Sequence, residues 1–299
     1  MNELVGQFAA LTTACCWAFT SIFFTIAAQR VGSAVANRVR LVFAMILLAI
    51  THLIMFGSIF PFHAELDRWF WLGLSGVIGL VIGDAMLFEA YVLIGTRLPL
   101  LLLSLAPVIS TVLAWIFLGE KLSAVELLAI AVTVGGITWV VADKNRERHT
   151  IGGKKLALGL LLGFGGAFGQ AAGLIASKLG LYGDFPALSG NLIKMTVAVA
   201  VMWLLTAITG KVPYTISKLR DIKATRALLT GAITGPFIGV WMSLVAIKLA
   251  RVGIASTIMA FSPILTIPLV RIYFKEQVSI HAILGTVTAI IGISLLFLV

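Results

Sequence analysis

Charge is scarce in this sequence. Only 11% of its 299 residues are Asp, Glu, Lys or Arg, while 60% are hydrophobic, and the mean hydropathy is +1.09. Soluble domains carry about 25% charged residues, which excludes a chain built to face water. Cysteine is scarcer still. Cys15 and Cys16 are the only two, and as neighbours inside one apolar run they exclude a disulfide framework or zinc site and read as small packing residues. The histidines His52, His63, His149 and His281 are scattered without metal-ligand spacing. No nucleophile–base constellation stands out, so an enzyme has little to rest on, and no cofactor is implied.

Glycine is plentiful, but not as a nucleotide loop. The stretch G-F-G-G-A-F-G-Q-A-A-G at 163–173 lacks G-x-G-x-x-G spacing, because Phe168 stands at the last position. Small residues four apart (Gly159 and Gly163, Gly169 and Gly173, Gly79 and Gly83) instead let membrane helices approach closely.

Long hydrophobic runs fill the rest. Ten segments approach the ~20 residues needed to cross a bilayer: 4–28, 34–56, 70–93, 98–118, 124–142, 156–179, 187–209, 226–249, 253–274 and 280–299. The chain therefore reads as an all-α integral membrane protein with ten transmembrane helices. The start Met-Asn-Glu-Leu lacks the positive region of a signal peptide, so the first segment reads as a retained helix. Basic residues crowd the odd-numbered connections, with Lys144, Arg146, Arg148, Lys154 and Lys155 in the central one. The even-numbered ones hold Arg68, Lys121, Lys178, Lys248 and Arg251. Positive charge gathers on the cytoplasmic side, which predicts a multi-pass inner-membrane protein with both termini on the non-cytoplasmic side. The net charge of +10 is thus a topology signal, and nucleic acid is not an expected partner.

The chain also repeats itself. At an offset of 156, Gly79 meets Gly235, Gly83 meets Gly239 and Pro107 meets Pro263; Glu120 meets Glu276, Ser123 meets Ser279 and Gly136 meets Gly292. At 154, Asn37 meets Asn191 and Arg40 meets Lys194. The expected organisation is a first repeat at 1–142, a basic linker at 143–155 and a second repeat at 156–299. Five helices per repeat is an odd number, so the two repeats enter the membrane with inverted topology, as in many secondary transporters.

Trp17 stands in the first segment, and Pro107 in the fourth, the turn Glu120 to Ser123 and the glycine-rich fifth segment recur in order as Pro263, Glu276, Ser279 and Gly292. In this duplicated order the whole chain resembles the EamA-domain family of the drug/metabolite transporter (DMT) superfamily. The resemblance implies a ten-helix basket with a central cavity and alternating access. Relatives of this kind move amino acids, other small metabolites, sugar phosphates or nucleotide sugars.

Asp84 and Glu89 interrupt the third segment. A charged side chain at mid-bilayer costs about 2.5–3.5 kcal/mol on insertion scales, so a function is the default expectation. The two acids are separated by about 140° around a helix and are not expected to share one site. Asp84, with Tyr91 on nearly the same face, is the candidate proton acceptor or substrate contact. Glu89 is the candidate gate partner of Arg40. The bland alternative is that either acid caps a neighbouring helix or stays protonated in the packing. Val240 and Val245 stand at the matching positions of the second repeat. Lys194, like Arg40, either joins the gate or snorkels to the nearer interface. Gln170, Trp17 and Trp241 complete the candidate substrate site, against the alternative of plain packing. Pro99, Pro107, Pro236, Pro263 and Pro268 are expected inside helices, as kinks.

The expected function is a secondary transporter exporting a small polar metabolite such as an amino acid or amine, with protons as the coupling partner. The alternatives are an antiporter of phosphorylated sugars or nucleotides, which needs cations such as Arg40, Lys194 and Arg271, and a lipid-flippase type of membrane protein.

Overall fold

The computed structural model describes residues 2–94, 99, 102–143, 153–262, 264–265 and 280–298, which contain helices and no strand. In chain order these are α1 (Asn2–Val31), α2 (Ser33–Phe56), α3, α4 (Ala106–Leu118), α5 (Ala124–Asp143), α6 (Gly153–Gly180), α7 (Ala187–Ile208), α8, α9 (Val252–Met259) and α10 (Ile280–Leu298). Helix α3 runs through Leu66–Gly76, a π-helical stretch Val77–Gly83, and Asp84–Ile94; α8 runs likewise through Ile222–Ala232, Ile233–Gly239 and Val240–Leu249. A seven-residue helix, Val212–Lys218, precedes α8. Six of these helices are long and apolar enough to cross a membrane. The outer faces of these and of the shorter apolar helices carry exposed Phe8, Ile50, Phe117, Leu161, Leu204 and Ile291. An apolar surface of that extent belongs in lipid, and the chain is a multi-pass membrane protein.

Local chemistry sets the breaks. Gly32 separates α1 from α2 at a φ of 87°, a left-handed conformation open to glycine at little strain. Ser123 opens α5 with a reciprocal cap: its Oγ accepts from the Glu126 amide at 3.2 Å, and Glu126 Oε2 accepts from the Ser123 amide at 2.7 Å. Pro107 occupies the first turn of α4, after a two-residue turn at 104–105 that follows helical residues 102–103; its missing N–H goes unneeded there and its fixed φ suits a helix start. Pro236 does lie inside a helix, within the π-helical stretch of α8. Pro263 and Pro268 lie outside the described residues.

The repeats interlock. Helix α1 packs on α8, α6 on α3, α2 on α7, α4 on α9 and α5 on α10, so each of these contacts joins one repeat to the other. Between α5 and α10 the contact is reciprocal. A Cβ on Gly136 would lie 2.5 Å from the Ala289 amide nitrogen, and one on Gly292 would lie 2.3 Å from Thr133 Oγ1. Gly136 and Thr133 match Gly292 and Ala289 at the offset of 156, so each glycine receives the partner of the other.

Gln7 Nε2 donates to the Leu296 carbonyl at 3.1 Å, placing the start of α1 and the end of α10 at one end of the bundle, here the terminal end. Ion pairs close this end. Arg251 bonds Glu126 and reaches Glu3 at 3.1 Å, while Lys178 lies 3.4 Å from Glu120. Glu120 Oε2 also accepts from the Val252 amide at 2.8 Å. The turn from Glu120 to Ser123 is thereby tied to the α8–α9 junction. Its counterpart, Glu276 to Ser279, lies outside the described residues.

Candidate functional site

The two π-helical stretches, Val77–Gly83 and Ile233–Gly239, sit at matching positions of the repeats. Each ends on a glycine with a local reason. A Cβ on Gly83 would lie 3.0 Å from the Ile78 carbonyl, and one on Gly239 would lie 2.9 Å from the Thr234 carbonyl. A widened turn shifts the backbone bonds by one residue and often marks a functional site. An asparagine meets each stretch at the same place. Asn37 Nδ2 donates to the Leu80 carbonyl at 3.5 Å; Asn191 Nδ2 donates to the Pro236 carbonyl at 3.2 Å and to that of Phe237 at 3.4 Å. Leu80 and Pro236 are counterparts at the offset of 156.

Asp84 follows the first π-helical stretch and is 7% exposed. Its Oδ2 is ion-paired with Arg40 Nη2. Arg40 Nε donates to Asn37 Oδ1 at 2.7 Å, and its guanidinium lies 5.1 Å from the Phe24 ring centroid and 5.8 Å from that of Phe88. The expected partner was Glu89; the structure corrects this. Asp84 faces α2, whereas Glu89, rotated by about 140°, lies on the exposed side of α3.

Lys194 is 6% exposed and turns inward rather than to an interface. Its Nζ donates to Ser177 Oγ at 3.3 Å. Ser177 is 2.6 Å from Ser75 Oγ, which donates to the Gly173 carbonyl at 2.7 Å. Lys194 and Asp84 also feel each other electrostatically. A buried lysine, a half-buried arginine and a buried carboxylate thus gather among α2, α3, α6 and α7.

The remaining candidates fall at two helix crossings. At α3–α6, Gly169 packs on Gly83, with a would-be Cβ 2.9 Å from the Gly83 Cα. This sets Gln170, half-buried, one residue from the crossing that Asp84 adjoins. At α1–α8, Trp17 covers Gly239, its Nε1 3.1 Å from the glycine's would-be Cβ. Trp241 lies two residues on, its ring centroid 6.2 Å from that of Phe237. The tryptophans therefore sit at the second repeat's copy of the place Asp84 and Gln170 occupy in the first. Tyr91 lies on α3, but its side chain is outside the described residues, as is Arg271. The sequence reading missed Ser75, Ser177 and the roles of the two asparagines. The Asn37–Asn191 match was the signal available for the latter.

Outside the membrane-spanning region, acids at matching positions stand just before α3 and α8. Asp221 caps α8, accepting from the Ala224 amide at 3.0 Å, and pairs with Arg30 at 2.9 Å. The amide first, then the guanidinium, holds its carboxyl below the usual carboxylate range. Glu65 makes no cap bond. It accepts from the Tyr182 hydroxyl and from Arg68 Nε at 3.2 Å, and the tyrosine bond chiefly holds its carboxyl low.

A family model described as "EamA-like transporter family" matches residues 4–142 and 157–298. A solved structure described only as "Crystal structure of protein" is 14% identical, with a TM-score of 0.75, covering 98% of this chain and 97% of that one. This likeness speaks for the fold. No curated protein matches.

Proposed function

We propose a transport cycle for this chain, which belongs to the EamA-like transporter family. Membership of a transporter family makes a small molecule the substrate and the bilayer the setting. Beyond that, the protein exports a small polar metabolite of amino-acid or amine type across the inner membrane, by alternating access between the repeats. Its linker end is cytoplasmic and its terminal end faces outward, as the distribution of basic residues supports.

The Arg40–Asp84 ion pair carries the reading. It joins α2 to the residue that follows the π-helical stretch of α3, beside the α3–α6 crossing. A buried pair with hydrogen-bonded partners is a two-state element: intact, it holds the helices, and with Asp84 protonated the attraction is lost. Proton entry at Asp84 releases Arg40, which keeps its bond to Asn37, and lets α2 shift against α3.

The test is transport in proteoliposomes. Asp84→Asn should abolish accumulation driven by a proton gradient while counterflow exchange persists, because exchange needs no net proton movement. Undiminished uphill accumulation by the variant would sink the coupling role.

A further inference from the structure

The two repeats present the same asparagine and the same kind of cation, and only one of them supplies an acid. In the first, Arg40 Nε donates to Asn37 Oδ1 at 2.7 Å and Nη2 bonds Asp84. In the second, Asn191 directs its amide at the π-helical stretch as Asn37 does. Yet Asn191 is fully buried and its Oδ1 has no hydrogen-bond partner. Lys194, three residues on like Arg40, makes one bond among the described residues, to Ser177 Oγ at 3.3 Å. Where the first repeat has Asp84, the second has buried Val240, which offers no polar side-chain atom.

We propose that Lys194 and Asn191 form a docking site for a carboxylate carried by the substrate, which takes in the second repeat the role of Asp84 in the first. This rests on the transport reading above and narrows its substrate class. The charge balance selects the chemistry. Half-buried Arg40 is ion-paired with buried Asp84, so Arg40, Asp84 and Lys194 together carry one positive charge in excess. Buried Lys194, hydrogen-bonded only to Ser177 among the described residues, is the cation without a direct carboxylate partner, an unfavourable arrangement for a buried charge. A monocarboxylate neutralises the excess, and the carboxylate end of a zwitterionic amino acid neutralises Lys194 locally, with its ammonium placed away from the two cations. An amine lacking a carboxylate adds to the excess, and a phosphate monoester, at about −1.5 to −2, overshoots it. The ammonium of Lys194 has three donors, enough for Ser177 or Asn191 Oδ1 together with a carboxylate oxygen. Docking therefore draws Lys194 toward Asn191, into the arrangement Arg40 already has with Asn37.

The experiment is a thermal-shift titration of the purified full-length protein. The probes are the proteinogenic amino acids, short monocarboxylates, and for each amino acid its C-terminal amide and decarboxylated amine, with glycerol phosphate alongside. At least one acid should stabilise the protein while its amide, its amine and glycerol phosphate do not. Lys194→Gln should weaken that acid's binding by about 10- to 100-fold, the factor carried by hydrogen bonds to charged groups. Lys194→Arg, which restores the charge, should recover most of it. Val240→Asp, which builds the acid into the protein, should abolish binding while keeping the chain folded. Equal binding of amide or amine, unchanged affinity in Lys194→Gln, or no binding by any acid would overturn the docking site. Counterflow of the same compounds separates the two readings. Acids that bind without exchanging would refute transport alone, whereas amine exchange that survives Lys194→Gln would refute the docking site alone.

Discussion

In the first repeat a half-buried arginine is held by an asparagine and an aspartate. In the second, a buried lysine at the matching position leans on a serine of α6, and the matching asparagine oxygen stays unbonded. The backbone repeats itself down to the placing of a π-helical stretch, while the side chains diverge where chemistry is needed. A symmetric frame serves the motion. An asymmetric lining serves a substrate whose two ends differ.

The sharpest way to break this comparison is to remove each cation in turn. Arg40→Met strands the Asp84 carboxylate in the interior, and stranding one member of a buried pair costs about 3–5 kcal/mol. Lys194→Met removes a charge already in excess, and its thermal unfolding in detergent should shift upward or hardly at all. A larger loss from the lysine change would show that the second repeat is not the uncompensated one. Arg40→Met combined with Asp84→Leu should regain most of the stability lost by the arginine change alone.

The asparagines come next. Asn37→Ala deletes a bond to a charged guanidinium, which is worth about 1.5–3 kcal/mol. Asn191→Ala deletes neutral bonds, worth about 0.5–1.5 kcal/mol. Equal losses in chemical denaturation would mean that the bond to Arg40 carries little.

Glycine positions sharpen the comparison at the packing level. A Cβ on Gly235 would lie 2.7 Å from Thr20 Cγ2, whereas one on Gly79 finds nothing nearer than the Gly169 carbonyl at 3.8 Å. Gly235→Ala should cost about 1–3 kcal/mol through overpacking. Gly79→Ala should be tolerated, and in a helix alanine even gains a little over glycine. Thermal unfolding of the two variants side by side measures the difference.

The smallest effect concerns the two acids ahead of α3 and α8. Both carboxyls titrate below their ordinary range in the folded state. Their contribution is therefore full above the unfolded-state pKa of about 4, and it fades as the pH falls through the lower folded value. Asp221→Asn keeps a capping side chain, so it should remove that site's acid sensitivity with little loss near neutrality. Glu65→Gln, at a side chain that bonds Tyr182 and Arg68 rather than capping α3, should likewise remove the acid sensitivity of that site. The readout is the melting temperature between about pH 3 and pH 7, where wild type and each variant should differ most in slope at the acid end.

Much of the fold was legible in the sequence because a bilayer imposes a simple demand. Every spanning segment has to satisfy its own backbone, so apolar runs become helices, and the 156-residue repeat follows from aligned glycines. The site was less legible. Charge in an apolar run marked Asp84 and Arg40 as unusual, but pairing depends on which face of α3 turns toward α2. Ser75 and Ser177 gave no signal at all. A serine is an unremarkable residue in a membrane helix until a buried lysine from another helix comes within bonding distance.

By itself the sequence determined the helical membrane character, the duplication and the residues out of place in oil, because these follow from composition, period and transfer energy. Only the tertiary structure decided that Arg40 belongs to Asp84, that Lys194 turns inward, and that Asn191 Oδ1 is left over. Each depends on which helix faces are brought together. The local chain sets how far apart two residues lie along a helix, but not what stands across from them.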